Sequence, residues 1–320
     1  MPLVQGNSRV LVTGGAGFIG SHLVDGLIDA EADVTILDNL DTGRMENIAQ
    51  HKLNRNFHFV EGDVRDFGVV KRLIKDVDVV VNLAAIASVQ RSVEDPLLVN
   101  DVNVKGTLNL LKASVDTGVK RFVQASSAAV YGDAQKLPVR EDFIPMPLSP
   151  YAVSKLAAEN YAGVFNWMYG LETVCLRFFN VYGPRQANNP YSGAITIFMN
   201  ELLGNRSPRI FGDGEQSRDF VFVKDVVSAV MLALSEKGAV GEVFNVASGK
   251  ATTINKIVQV LQKLTGKEDL RPVYGEPREG DIRHSCASIE KAKMTLGYEP
   301  LISLEEGLKE LVGYVNGLGK

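Results

Sequence analysis

The sequence predicts a doubly wound α/β fold: a parallel sheet with helices on both faces, joined to a smaller discontinuous α/β lobe. Three observations predict it. Short β-branched runs alternate with stretches of helical length through the first half of the chain. The first run opens into Gly14-Gly15-Ala16-Gly17-Phe18-Ile19-Gly20, with a helical pattern from Ser21. The second run ends on a carboxylate, Asp38.

The strands are expected at Arg9 to Thr13, Asp33 to Asp38, Phe57 to Glu61, Asp78 to Asn82, Arg121 to Ser126 and Glu172 to Phe178. Between them lie helical stretches, notably Pro96 to Thr117 and Pro150 to Tyr169. After Asn180 the rhythm breaks at Pro184, Asn188-Asn189-Pro190 and Gly193, before an apolar stretch from Ala194 to Leu203. Asp219 to Val223, a helix from Lys224 to Ser235, and Glu242 to Val246 read as a return to the sheet. At least two further helical patterns follow Thr253. The expected division is residues 1–180 and 219–250 in the sheet domain, and 181–218 and 251–320 in the second lobe.

At 320 residues the chain is long enough for a large core. Its 45% hydrophobic and 22% charged residues are ordinary for a soluble globular protein. A net charge of −4 argues against nucleic acid or an anionic membrane as partner. Cys175 and Cys286 have no zinc or disulfide spacing, and the four histidines are scattered, so no metal is expected. MPLVQGNSR carries no apolar h-region and no run approaches 18 uncharged apolar residues, which gives the expectation of a cytoplasmic enzyme.

The glycine turn lets the backbone approach a pyrophosphate lying against a helix amino terminus, as in Rossmann folds. Asp38 stands 18 residues after Gly20, where it would accept from ribose hydroxyls and repel a 2′-phosphate. NAD is thereby favoured, with NADP left open by the nearby Arg44. Asp63 is a candidate for the adenine edge or simply a polar strand end. Asn82-Leu83-Ala84-Ala85 would floor the crevice.

Tyr151-Ala-Val-Ser-Lys155 spaces a phenol and an ammonium one helical turn apart, on one face. Ser149-Pro150 reads as an N-cap followed by proline at the first helical position, which puts Tyr151 in the first turn. Lys155 and the helix terminus would both favour the phenolate. Such a base suits a sugar or alcohol hydroxyl.

TGGAGFIG, Asp38-Asn39-Leu40, NLAA, SSAAVYG, SPYAVSK, RFFNVYGPRQ, FGDG, RDFVFVKD, NVASG and PREGDIRHS, in this order over nearly the whole chain, resemble the extended short-chain dehydrogenase/reductase family. Within it they resemble the nucleotide-sugar 4-epimerases of the UDP-glucose 4-epimerase type. The resemblance implies catalysis by Ser127, Tyr151 and Lys155, with Ser126 in support. It implies an NAD site made by Gly14, Gly17, Phe18, Ile19, Gly20, Asp38, Asn39, Asp63, Val64, Leu83, Ala84 and Ala85, with Tyr151 and Lys155. Phe179 and Asn180 would line the nicotinamide and sugar pocket. Arg218 and Arg278 would grip the diphosphate of a UDP-sugar, Phe211 would pack on uracil and Asp281 would meet the ribose. Ser285 would gate the sugar 2-substituent and, being small, admit N-acetyl forms. A homodimer is implied as well, through the helices at Pro96 to Thr117 and Pro150 to Tyr169.

The implied reaction is oxidation of the sugar 4-hydroxyl to a transient 4-keto sugar and return of the hydride to its other face. A 4,6-dehydratase would need an Asp-Glu pair where this chain has Ala128-Ala129. A UDP-glucuronate 4-epimerase or decarboxylase, a net reductase, and a nucleotide-sensing binding protein without chemistry stay open as alternatives.

Overall fold

The computed structural model describes residues 6, 8–186, 193–277, 280 and 282–318. In β1 (Arg9–Thr13), Val10 and Val12 face one side of a sheet and Leu11 the other, and all three are buried. Apolar residues at both phases of a period-two strand require cover on both faces. The chain supplies that cover with helices between strands.

α1 (Phe18–Asp29), β2 (Asp33–Asp38), β3 (Phe57–Glu61), α2 (Phe67–Leu73) and β4 (Val79–Asn82) follow β1. Next come α3 (Val89–Glu94), α4 (Pro96–Asn100) and α5 (Gly106–Thr117), the last two joined through a π turn at Asp101–Lys105. β5 (Arg121–Ser127), α6 (Pro150–Tyr169), β6 (Glu172–Phe178) and the short β7 (Asn180–Tyr182) complete the first half. Then come α7 (Ala194–Leu203), β8 (Arg209–Phe211), β9 (Ser217–Phe222), α8 (Val223–Ser235), β10 (Val243–Val246) and β11 (Ala251–Thr253). α9 (Ile254–Thr265), β12 (Val273–Gly275), α10 (Glu290–Leu296) and α11 (Leu304–Leu318) end the described chain.

Seven strands form a parallel sheet in the order β10-β6-β5-β4-β1-β2-β3. The order reverses between β1 and β4, the switch point where such sheets open a crevice at their carboxyl ends. All six strands expected from the first half are in this sheet, with ends within one residue of expectation. β10 and α8 also return to it. The run at Asp219 to Val223 does not: β9 pairs with β7 and β11 in a separate three-stranded sheet, and the helix begins at Val223. A β-branched run specifies a strand but not its partner.

Leu23, Val24 and Leu27 of α1, with Val226, Ala229 and Val230 of α8, cover one sheet face. Val70 of α2, Leu110 and Leu111 of α5 and Phe165 of α6 cover the other. Each large apolar side chain buried this way contributes roughly 1.5–3 kcal/mol. A second cluster joins α7, α9 and α11 through Phe198, Leu202, Ile257, Leu261 and Leu308. On α9 the buried Ile254, Ile257, Val258 and Leu261 recur at helical spacing, and Gly266 closes the helix in the left-handed region. Ile19 and Val181 pack against both clusters. No helix among the described residues is long and apolar enough to cross a membrane.

Candidate active site

The strand ends open into one cavity of about 760 Å³. Gly14, Gly17, Phe18, Ile19, Gly20, Asp38, Asn39, Asp63, Val64, Leu83, Ala84 and Ala85 all line it. So do Ser127, Tyr151, Lys155, Phe179, Asn180, Phe211 and Arg218. Arg278 and Asp281 lie outside the described residues.

The glycine turn fits a dinucleotide pyrophosphate. At Gly14, φ is +71° and a Cβ would stand 2.9 Å from the Ala84 backbone nitrogen. At Gly20 a Cβ would stand 2.1 Å from the Gly14 carbonyl oxygen, so only glycine allows α1 to start this close to β1. Gly17 is the N-cap of α1, it provides no side-chain cap, and the first turn holds no acidic residue. The first N–H groups of the helix are thus left for an anion from outside.

Asp38 is buried, and its two carboxylate oxygens accept from the Ala16 N–H at 3.0 Å and the Leu40 N–H at 2.9 Å. Burial pushes its pKa up, against the pull of these bonds. A carboxylate has about four acceptor sites, so capacity remains for ribose hydroxyls. Asp63 differs. It accepts from the Arg65 N–H, Nε and Nη2 and from Asn39 Nδ2, and the Arg65 side chain chiefly holds it down at about 2. Four donors already occupy it, which weakens the expectation of an adenine contact through this carboxylate.

Sequence reasoning missed one ion pair here. Arg91 Nη1 of α3 meets Asp41 Oδ2 at 2.5 Å, and both residues line the cavity. Asp41 follows β2 and α3 follows β4, the two strands that flank β1, so the pair spans the end of β1 where the glycine turn lies.

The Ser149 hydroxyl accepts from the Ala152 N–H at 3.1 Å and Pro150 begins α6, as the sequence implied. Tyr151 is buried in the first turn and lines the cavity together with Ser127. Ser127 Oγ accepts from the Ala129 N–H at 3.2 Å, which leaves its own proton for another oxygen. Lys155 Nζ donates to the Ala125 carbonyl at 3.0 Å. Burial lowers the Lys155 pKa to about 8. Burial also raises the Tyr151 pKa, and the Ser127 side chain pulls the other way. Burial is thus the larger influence on the phenol, and the Lys155 ammonium, expected to favour the phenolate, donates to Ala125.

On the other side of the cavity, Phe211 lies under Arg209, with 5.4 Å from the guanidinium carbon to the ring centroid. Gln216 Nε2 donates to the Phe211 carbonyl at 2.8 Å. Arg209 and Gln216 both line the cavity and were not expected. Arg209 stands two residues before Phe211 on β8, a same-face spacing that could have indicated it. Ser285 is half-buried, is not part of the lining, and donates its backbone N–H to the Ser217 carbonyl beside Arg218 at 3.0 Å.

The family model described as GDP-mannose 4,6 dehydratase matches residues 11–311. The UDP-glucose 4-epimerase of Thermotoga maritima, solved with UDP-glucose, is 43% identical, with a TM-score of 0.92 over 98% of this chain and 100% of that one. The UDP-N-acetylglucosamine 4-epimerase of Methanobrevibacter ruminantium, in complex with UDP-N-acetylmuramic acid, is 40% identical, with a TM-score of 0.94 over 98% and 100%. The UDP-glucose 4-epimerase of Thermus thermophilus, solved with NAD, is 38% identical, with a TM-score of 0.88 over 97% and 99%. With that cavity, that sheet order and these matches along almost its full length, the chain belongs to the extended short-chain dehydrogenase/reductase family, among its NAD-dependent nucleotide-sugar epimerases and dehydratases.

Proposed function

We propose that this protein interconverts UDP-hexoses at C4, with UDP-glucose and UDP-galactose as substrates and their N-acetylhexosamine forms accepted too. The observation that carries the reading is the meeting of Ser127, Tyr151 and Lys155 in one cavity with the glycine turn, Asp38, Phe211 and Arg218. The glycine turn would hold the NAD pyrophosphate, Asp38 its adenosine ribose, and Lys155 the nicotinamide ribose. Bound NAD supplies a reversible hydride acceptor and a positive charge that favours the phenolate. Tyr151 takes the proton of the sugar 4-hydroxyl and later returns it, and Ser127 donates a hydrogen bond to the reacting oxygen. Phe211 and Arg218, with Arg278 and Asp281, clamp the nucleotide while the 4-keto sugar turns over. Ala128 and Ala129 leave no acid–base pair for elimination of water.

In this reading residues 1–180 and 219–250 hold the dinucleotide, and 181–218 and 251–320 hold the nucleotide sugar. A homodimer belongs to it as well, because α6 exposes Val164, Trp167 and Met168 on its outer face, an apolar stripe suited to a second copy. The test is turnover of UDP-glucose, UDP-galactose, both N-acetyl forms and UDP-glucuronate, with products identified and NADH monitored. Epimers formed without net NADH change are expected. A decarboxylated or 4,6-dehydrated product, or stoichiometric consumption of reduced cofactor, would sink the proposal.

A further inference from the structure

α6 touches β5 through more than its catalytic pair. Tyr151, Lys155 and Glu159 recur every four residues on α6 and are all buried. Three successive residues of β5 meet them. Ser127 lines the cavity beside Tyr151, the Ala125 carbonyl accepts from Lys155 at 3.0 Å, and Ser126 Oγ donates to Glu159 Oε2 at 2.8 Å. Glu159 is also clamped by Arg177 of β6, with Nη2 at 2.5 Å from Oε1 and Nε at 3.1 Å from Oε2. Arg177 is the register partner of Ser126 across the sheet, and its guanidinium carbon lies 4.7 Å from the centroid of the Tyr131 ring.

A buried ion pair of this kind is weak evidence for stability, since apolar replacements of similar size often do as well, but it can fix one arrangement among several. Such a choice is needed here. The buried face of α6 includes Ala152, Ala158 and Ala162, which permit close approach but present few protruding side chains to mesh with the sheet. Apolar packing alone therefore specifies the axial position of α6 weakly.

We propose that Glu159, held by Arg177 and Ser126, is a positioning residue that sets the height of α6 on β5 and so delivers the Tyr151 oxygen to Ser127. The inference rests on the reading of Tyr151 as the base. A misplacement of about 1 Å at such a group can cost on the order of 100-fold in rate.

The test uses the full-length protein with NAD and three variants: Ser126→Ala, Glu159→Gln, and the paired Glu159→Met/Arg177→Met. The paired variant is expected to stay folded with KM for the UDP-sugar near that of the wild type, while kcat falls roughly 100-fold. The single variants should lose about 3- to 30-fold in kcat by the same geometry. The acidic limb of the kcat profile should move to higher pH as the phenol is drawn away from the Ser127 side chain, which pulls its pKa down. Crystal structures should show Tyr151 Oη withdrawn from Ser127 Oγ. Wild-type kcat and an unmoved Tyr151 in the paired variant overturn the proposal. If that variant does not fold, the same result in both Ser126→Ala and Glu159→Gln overturns it. Should the wild type turn over none of the UDP-sugars, the functional reading fails, and the Oη–Oγ separation still decides the positioning role.

Discussion

Lys155 Nζ donates to the carbonyl oxygen of Ala125 at 3.0 Å, so the buried ammonium is anchored to the strand that carries Ser127. One backbone acceptor does not replace the water lost on burial, and the pKa falls to about 8 from 10.5. Below about pH 8 the lysine is charged in folded and unfolded chains alike, and the folded state bears the full cost. Between about 8 and 10.5 the unfolded chain holds a proton that the folded chain has released, so stability rises with pH across this window. Relative to Lys155→Met, the wild type should gain on the order of a few kcal/mol from pH 8 to 10.5, read as urea midpoints for both proteins at each pH. Parallel midpoints would show that Lys155 is not desolvated as described.

Tyr151→Phe keeps the aromatic ring in its buried slot and removes the group that exchanges protons with the sugar. Turnover should fall at least 10²- to 10⁴-fold while NAD still binds, as followed by epimer formation and equilibrium dialysis. Ser127→Ala should cost about 10-fold or more in kcat, with little change in melting temperature. A fully active Tyr151→Phe would refute the assignment of the base.

Gly20→Ala should be severe, because its Cβ would fall 2.1 Å from the Gly14 carbonyl oxygen and neither backbone can yield cheaply. The expected cost is about 1–3 kcal/mol in stability, as for other overpacked contacts, together with loss of NAD affinity. Gly26→Ala on the same helix is the control, since its nearest neighbour would be Val227 Cγ1 at 3.5 Å.

The Asp41–Arg91 pair should slow NAD release. Its side chains are 45% and 29% exposed, so a worth of about 0.2–1 kcal/mol is reasonable, up to about fivefold in dissociation rate. Arg91→Ala should release NAD faster in stopped-flow measurements at low salt, and the difference should shrink at about 0.5 M salt. The exchanged pair Asp41→Arg/Arg91→Asp should recover part of the loss.

What was legible in the sequence was local. Ser149, Pro150 and the glycine turn act through neighbours within a few residues, and their geometry matches the sequence pattern closely. Contacts made across the fold were hidden. Asp41 and Arg91 lie 50 residues apart, and nothing near either residue indicates the other. The partner of Lys155 is a backbone carbonyl, which carries no residue signature. The saturation of Asp63 depends on where the Arg65 side chain folds back. β9 reads as a strand in the sequence yet pairs with β7 and β11 in another sheet, because a strand's local pattern does not carry the identity of its partner.

Ile19 and Val181 pack against two apolar clusters at once, one under the parallel sheet and one among α7, α9 and α11. Neither cluster can melt without stripping cover from these two residues, so loss of one weakens the other. The protein should therefore unfold in a single calorimetric transition with equal van't Hoff and calorimetric enthalpies. Ile19→Ala should broaden that transition or split it in two. Ile19 lies in the first turn of α1, at the pyrophosphate end of the cavity, so occupancy of the dinucleotide site would be felt as cooperativity by the whole molecule.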